Sequence, residues 1–205
     1  MPTSEFVRAD PNNHLSTFMI DHQSNAWPPA YSYGTWAWTV WLGKSGPTYY
    51  STITYLRFDT SSIPDDATIT GAVLKVTPAS GTVNGDGRNF LVDWHAPDSW
   101  DPTDPADFHQ PLAGSAATVA LSAFSIGVEK EITLSIPSNV SKVGYTVFAL
   151  GISGGQPSAQ NALNESVYTD TKLVVTYTFP CYASKVLGVL AAKVNGVVPA
   201  KVIGV

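Results

Sequence analysis

The chain has a single cysteine, Cys181, in 205 residues. An intramolecular disulfide is therefore excluded, and stability has to come from a packed core. Charged residues are scarce at 13%, while 44% of the chain is hydrophobic, a balance that argues against disorder. No stretch is long and apolar enough to span a bilayer as a helix, so no membrane insertion is expected. The first residues, Met1-Pro2-Thr3-Ser4-Glu5, offer neither a basic region nor an apolar segment, so they do not read as a secretory signal. Either a leader was removed before the numbering begins or the protein reaches its working place without one, and the initiator Met favours the second. Clusters of Lys and Arg are also missing. All sixteen Asp and Glu lie before residue 181, with eight of the eleven Lys and Arg, leaving the first 180 residues at −8. Such an acidic body is a poor partner for nucleic acid, whose phosphates need clustered cations. The last 25 residues hold Lys185, Lys193 and Lys201 and no acid, a charge of +3.

Helical periodicity is poor as well; only Ser138–Lys142 and Ser158–Leu163 could each make a turn or two. What is present is alternation with a period of two. Leu56 and Phe58 alternate with Arg57 and Asp59, so the apolar pair is expected to face a core and the charged pair to face out. Ala72, Leu74 and Val76 alternate about Lys75. Leu173, Val175, Tyr177 and Phe179 oppose Thr176 and Thr178. Further strands are expected around Phe6–Arg8, Thr17–Ile20, Trp36–Leu42, Phe90–Trp94, Thr118–Leu121, Val128–Ile136 and Tyr145–Ile152. Fifteen Pro and sixteen Gly are spread among them, with turn signals at Ile63-Pro64-Asp65-Asp66, Asn84-Gly85-Asp86-Gly87 and Gly151 to Pro157. The expected fold is an all-β antiparallel sandwich, a jelly roll, over residues 1–180.

Residues 181–205 form a different unit, an extended arm. Lys185-Val-Leu-Gly-Val189, Lys193-Val-Asn-Gly-Val197 and Lys201-Val-Ile-Gly-Val205 repeat every eight residues. Each unit is too short for its own core. Val186, Val189, Val194, Val197, Val202 and Val205 favour extended backbone, and the recurring glycines permit close approach by another chain. The arm is expected to dock, with its lysines in water or against an acidic surface.

The stretch Tyr33-Gly34, Tyr55-Leu-Arg-Phe-Asp-Thr-Ser-Ser-Ile-Pro64 and Ala67-Thr-Ile-Thr-Gly-Ala-Val-Leu-Lys75 closely resembles the DNRLRE-type jelly-roll module. Asp98-Ser-Trp100 is similar to that family's mid-domain Trp loop. Glu165-Ser166 and Lys172-Leu-Val-Val-Thr-Tyr177 resemble its final strand, with Thr171-Lys172 where Pro-Arg often stands. The resemblance covers roughly residues 5–179. It implies a relative of carbohydrate-binding modules, an accessory or structural part of an extracellular protein with no catalytic residues. The arm resembles C-terminal repeats on structural proteins of tailed bacteriophages. Together the two imply a non-enzymatic virion protein: a capsid decoration, head fibre or tail-associated attachment protein. Its partners would be other virion proteins or copies of itself, and a cell-surface glycan is a further candidate. The alternative is a carbohydrate-binding module of a secreted bacterial protein.

Residues that could carry chemistry have plainer roles beside the reactive ones. Gly151-Ile-Ser-Gly-Gly155 matches the nucleophile-elbow pattern, but no His follows Ser153 in the chain, so a glycine-rich turn is the better reading. His14, His22, His95 and His109 are too scattered for zinc. Asp98, Asp101, Asp104 and Asp107 recur every third residue in a Pro-rich loop and have the hard oxygens that calcium prefers; the same residues are ordinary turn-makers, and that reading is preferred. Structural calcium is the only cofactor they suggest. Asn139-Val-Ser141 and Asn164-Glu-Ser166 match the glycosylation sequon, read as chance in the absence of a leader. Of six tryptophans, most are expected in the core. Trp94 and Trp100, near the long loop, are the candidates for stacking on a sugar ring.

Overall fold

The computed structural model of the chain describes residues 1–7, 17–24, 31–34, 39–45, 47–82, 87–95, 112–158, 161–164, 171–180, 185–186 and 189–190. Its strands run β1 (Thr3–Val7), β2 (Thr17–Ser24), β3 (Tyr31–Gly34), β4 (Thr39–Ser45), β5 (Thr48–Asp59), β6 (Thr68–Val76), β7 (Ser80–Thr82), β8 (Asn89–His95), β9 (Ala117–Ala120), β10 (Lys130–Thr133), β11 (Tyr145–Ile152), β12 (Asn161–Asn164), β13 (Lys172–Thr178), β14 (Lys185–Val186) and β15 (Val189–Leu190). Helical structure among the described residues is limited to 3-10 turns, including Leu121–Ala123 and Pro137–Asn139.

Eight of these strands form a nested set. β1 pairs with β13, β5 with β11, β6 with β10 and β8 with β9, all antiparallel. Counted along the chain, the first of the eight pairs with the last, the second with the seventh, the third with the sixth and the fourth with the fifth. That is one long hairpin rolled up, the topology of a jelly roll. Rolling sets β13 beside β6 and β11 beside β8, giving the sheets β1-β13-β6-β10 and β5-β11-β8-β9. The second sheet is widened at β5, whose twelve residues exceed what β11 covers. Its N-terminal part pairs with β4, followed by β12 and β7, and its other edge pairs with β2, which carries β3.

The alternation read from the sequence decides which side chains meet. Ala72, Leu74 and Val76 of β6 and Leu173 and Val175 of β13 are almost fully buried. They face Leu56 and Phe58 of β5, Phe90 and Val92 of β8, and Phe148 and Leu150 of β11 across the sandwich, in one apolar cluster. Each such side chain contributes roughly 1.5–3 kcal/mol relative to exposure. Phe148 sits at the middle, edge-on to Phe58 at 6.0 Å and tilted against Trp94 at 4.9 Å between ring centroids. On the solvent face of the smaller sheet, Lys75 and Lys172 are cross-strand neighbours. Their repulsion is relieved by Glu131 on Lys75 at 2.8 Å and Glu5 on Lys172 at 3.1 Å.

Three sequence expectations change. The helical turn expected over Ser158–Leu163 is instead β12 from Asn161 onward, because pairing to β4 and β7 overrides the weak local preference. Arg57 does point away from the sandwich core, but it is buried there, at 7% exposure, because the outer face of its sheet is itself covered. Phe179 is half exposed, since β13 ends at Thr178 and with it the inward alternation. Within the arm, Lys185–Val186 pairs antiparallel with Val189–Leu190, so the first repeat unit doubles back as a two-stranded sheet of its own.

Candidate functional site

The outer face of β5, β11 and β8 gathers most of the described polar chemistry. Alternation that sends Leu56, Phe148 and Val92 inward sends Ile53, Tyr55, Arg57, Val147, Ala149, Leu91, Asp93 and His95 outward. In an ordinary sandwich this face would be wet. Here Ile53, Tyr55 and Ala149 form a second, smaller buried cluster, closed by Leu112. Leu112 lies over Gly151, where a Cβ would come within 2.6 Å of its Cδ1. Glycine at 151 thus leaves the space that the tip of the Leu112 side chain fills.

Asp93 ties that segment down. Its carboxylate accepts backbone N–H bonds from Ala113 at 2.7 Å and Gly114 at 3.2 Å on one oxygen, and from Ser115 at 2.6 Å on the other. Three successive amides converge this way because Gly114 has φ +71, a conformation that favours glycine. Burial alone raises the Asp93 pKa, but the bonds from Ser115, Ala113 and Gly114 together outweigh it and hold the carboxyl below its ordinary value. Further along the face, the Tyr55 and His95 rings meet at a tilt of 60° with centroids 5.0 Å apart, and the Arg57 guanidinium lies 4.4 Å from the Tyr145 ring centroid. Burial pulls the Arg57 pKa down, with Tyr145 opposing; the side chain nonetheless stays cationic.

The turn from Gly151 to Gly155 is held by hydrogen bonds to the start of β8. Ser153 donates its N–H to the Asn89 carbonyl and accepts the Asn89 N–H on its hydroxyl oxygen, both at 2.8 Å. Arg88 donates to the carbonyls of Ser153 at 3.0 Å and Gly155 at 3.4 Å. The serine of the elbow-like motif therefore stitches the end of β11 to the start of β8. Beside it, a cleft of about 110 Å³ opens between Ser51, Ile53, Leu91, Leu112, Gly151 and Gly154. Two residues along β5, on the same outer side as Ser51, is Tyr49. Gln156 donates to its hydroxyl at 2.6 Å, and the Lys44 ammonium lies 5.0 Å from its ring centroid. Both partners hold the Tyr49 phenol below its ordinary pKa, Gln156 first.

The residues singled out from sequence are distributed unevenly. Trp94 packs its ring against Phe148 from the inner face of β8 and donates its indole N–H to the Ser135 carbonyl at 3.0 Å. It is half-buried in the main core, a packing position rather than an open platform for a sugar. Trp100 and the series Asp98, Asp101, Asp104 and Asp107 lie outside the described residues, as do Trp27, Trp36, Trp38, His14 and His109. For His22, Trp41 and Asn164 the described structure is the backbone of β2, β4 and β12. Lys185, Val186 and Val189 fall in the short arm sheet; Lys193, Val194, Val197, Lys201, Val202 and Val205 lie outside the described residues. Among the described residues, no three His, Cys, Asp or Glu side chains gather as metal ligands do. Asn139 of the first sequon is exposed at the end of the Pro137–Asn139 turn. The roles of Asp93, Arg57, Tyr145 and Tyr49 are not evident from the sequence. A signal for Asp93 is there, a lone carboxylate inside the apolar run Phe90-Leu-Val-Asp-Trp94.

No protein-family model matches the chain, and no curated protein matches it. The function of the chain is therefore to be read from this geometry and from the arm.

The Asp93 cradle has a pH signature. Its folded pKa is depressed, so its contribution is present above the unfolded aspartate value of about 3.9 and is lost as pH falls from there through the folded value. Asp93→Asn is expected to cost about 2–3 kcal/mol at pH 7 and to flatten the stability curve below pH 4. Urea unfolding of both proteins from pH 7 downward checks this; parallel curves would show that the cradle is not what holds residues 112–115.

Proposed function

We propose that this chain is a non-enzymatic structural protein of a bacteriophage particle, with the jelly-roll body displayed and the C-terminal arm docking to neighbouring subunits. One observation carries the reading. The roll is complete at Thr178, with β13 hydrogen-bonded on both edges, to β1 and to β6. The repeats beyond it therefore have no vacant place beside the last strand of their own sandwich. A two-stranded sheet of two-residue strands has too little buried surface to be stable alone in water. A segment that is apolar and repetitive is suited to another surface. Three similar units on one tether raise the effective concentration at that surface, so total affinity exceeds that of one unit. The +3 arm and the −8 body supply attraction between copies.

Support for a body without catalysis comes from the way its reactive-looking groups are employed. Ser153 is a structural acceptor, Asp93 a backbone clamp, and Arg57 lies buried beside Tyr145. These contacts hold the fold, and none of them is the nucleophile–base contact that activates a side chain for attack.

Removing residues 181–205 is expected to leave a folded, monomeric body that no longer assembles or joins particles. Light scattering and incorporation into particles are the measurements; assembly retained by the truncated chain would reduce the arm to a tail.

The cleft favours a second reading, recognition of a cell-surface glycan. Ser51 lines the cleft, and two residues along β5 from it stands Tyr49 with the Gln156 amide and the Lys44 ammonium against it, a set suited to stacking on a sugar and bonding its hydroxyls. On a glycan array, Tyr49→Ala should abolish any signal given by the intact chain. A signal untouched by this change would place glycan binding elsewhere.

A further inference from the structure

In the first of the three arm units, the two described strands pair with each other. Val186 stands opposite Val189 and Lys185 opposite Leu190, antiparallel. Only Leu187 and Gly188 connect them. A two-residue connection between antiparallel strands needs left-handed backbone, which glycine accepts freely and asparagine tolerates. Asn-Gly between apolar residues is for that reason the strongest short-range hairpin signal in a sequence. The second unit has it, in Val194-Asn195-Gly196-Val197, and the third keeps the glycine, in Val202-Ile203-Gly204-Val205. Glycine thus holds the second connecting position in all three units. The period of eight then divides evenly. Two residues, a two-residue connection and two more residues make a unit, and Ala191-Ala192 or Pro199-Ala200 links it to the next.

Register sorts the residue types. Residues opposite one another in an antiparallel pair lie on one face of the sheet, and the neighbouring pair lies on the other. Val186 and Val189 therefore take one face of the first unit, with Lys185 and Leu190 on the other. Carried along by the period, Val194 and Val197 share a face in the second unit and Val202 and Val205 in the third, while Lys193 and Lys201 fall on the opposite side. The six valines that recur with the octad are thus the residues of one face. A hairpin of two-residue strands cannot bury that face within itself, so the valine pairs need a cover.

We propose that each arm unit is a β-hairpin closed at its glycine, and that its valine face packs on the valine face of the arm of a second copy of this chain. The inference rests on the reading of the arm as a docking element and names what it docks to. A cover for three units at once has to repeat an apolar face at the same interval, and a second copy of the arm does so by construction. Charge agrees with this partner. The 25 residues of the arm contain lysine and no acid, so two arms repel each other through their lysine faces. Contact through the valine faces turns the like charges outward, toward water and the −8 bodies.

The test uses full-length chains in sedimentation velocity, with Tm as the check that the body is folded. Gly188→Val, Gly196→Val and Gly204→Val together should leave Tm unchanged and weaken self-association by roughly tenfold or more, since a β-branched residue resists left-handed backbone. Asparagine at the same three positions should retain most of the association. An arm that docks as an extended strand would instead tolerate valine or gain from it. A valine chain as strong as the wild type, or an asparagine chain as weak as the valine one, overturns the hairpin. In a mixture, the dye-labelled triple-valine chain, whose body is intact, should sediment as a monomer beside excess unlabelled wild type. If it is carried into the assemblies, intact arms are seating on its body. The partner named here is then wrong, while docking by the arm stands. A wild-type chain that stays monomeric removes both the pairing of arms and the docking reading.

Discussion

Everything in this molecule depends on the pairing of its first strand with its last. β1 and β13 are joined in register from Thr3 opposite Thr176 to Val7 opposite Lys172. Because the roll is nested, this outermost pair closes over the others. The loop it closes is nearly the whole body, so its entropic cost is met only once the inner pairs and the core they enclose are in place. Closure also settles the fate of the C-terminal residues. With β1 on one edge and β6 on the other, β13 has no hydrogen-bonding row left, so no residue beyond Thr178 can pair beside that strand.

Closure shapes the outer face as well. The sheet β5-β11-β8-β9 turns one side to the core and would leave the other to water. The segment around Leu112, held by the Asp93 carboxylate and admitted by Gly151, turns part of that side into a second small core. In such a body the loops are hydrogen-bonded to one another at the end where Thr60, Gly144 and Lys142 meet. Rigid scaffolds with fixed loops are where binding surfaces are usually found. The reading of the protein as a displayed body on a docking arm joins these two properties.

Much of the fold is legible in the residue pattern. Leu74, Leu173 and Leu56 announce their strands because each alternates with polar neighbours, and Tyr145–Ile152 is matched to the residue by β11. β3, β7 and β12 are not legible, since strands as short as Ser80–Thr82 exist only through the partners that widen the sheet around them. The site is less visible still. Arg57 reads as a surface charge until the covering segment is placed, and Trp94 reads as a candidate sugar platform until Phe148 lies against it. Both depend on contacts between residues far apart in the chain, which period-two alternation does not encode. The left-handed backbone of Ile136, at φ 51 before Pro137, leaves no mark at all, because Ser-Ile-Pro is an ordinary run of letters until Ser135 and Val140 are anchored on either side.

The claim that β1 and β13 close a self-sufficient body is tested most directly by comparing urea unfolding of two truncated chains, residues 1–180 and residues 8–205. The account predicts an unchanged midpoint for the first. It predicts a large loss of stability, or failure to fold, for the second, whose β13 loses its partner edge and whose core loses Phe6. A body that weakens as much without its arm as without β1 would contradict it.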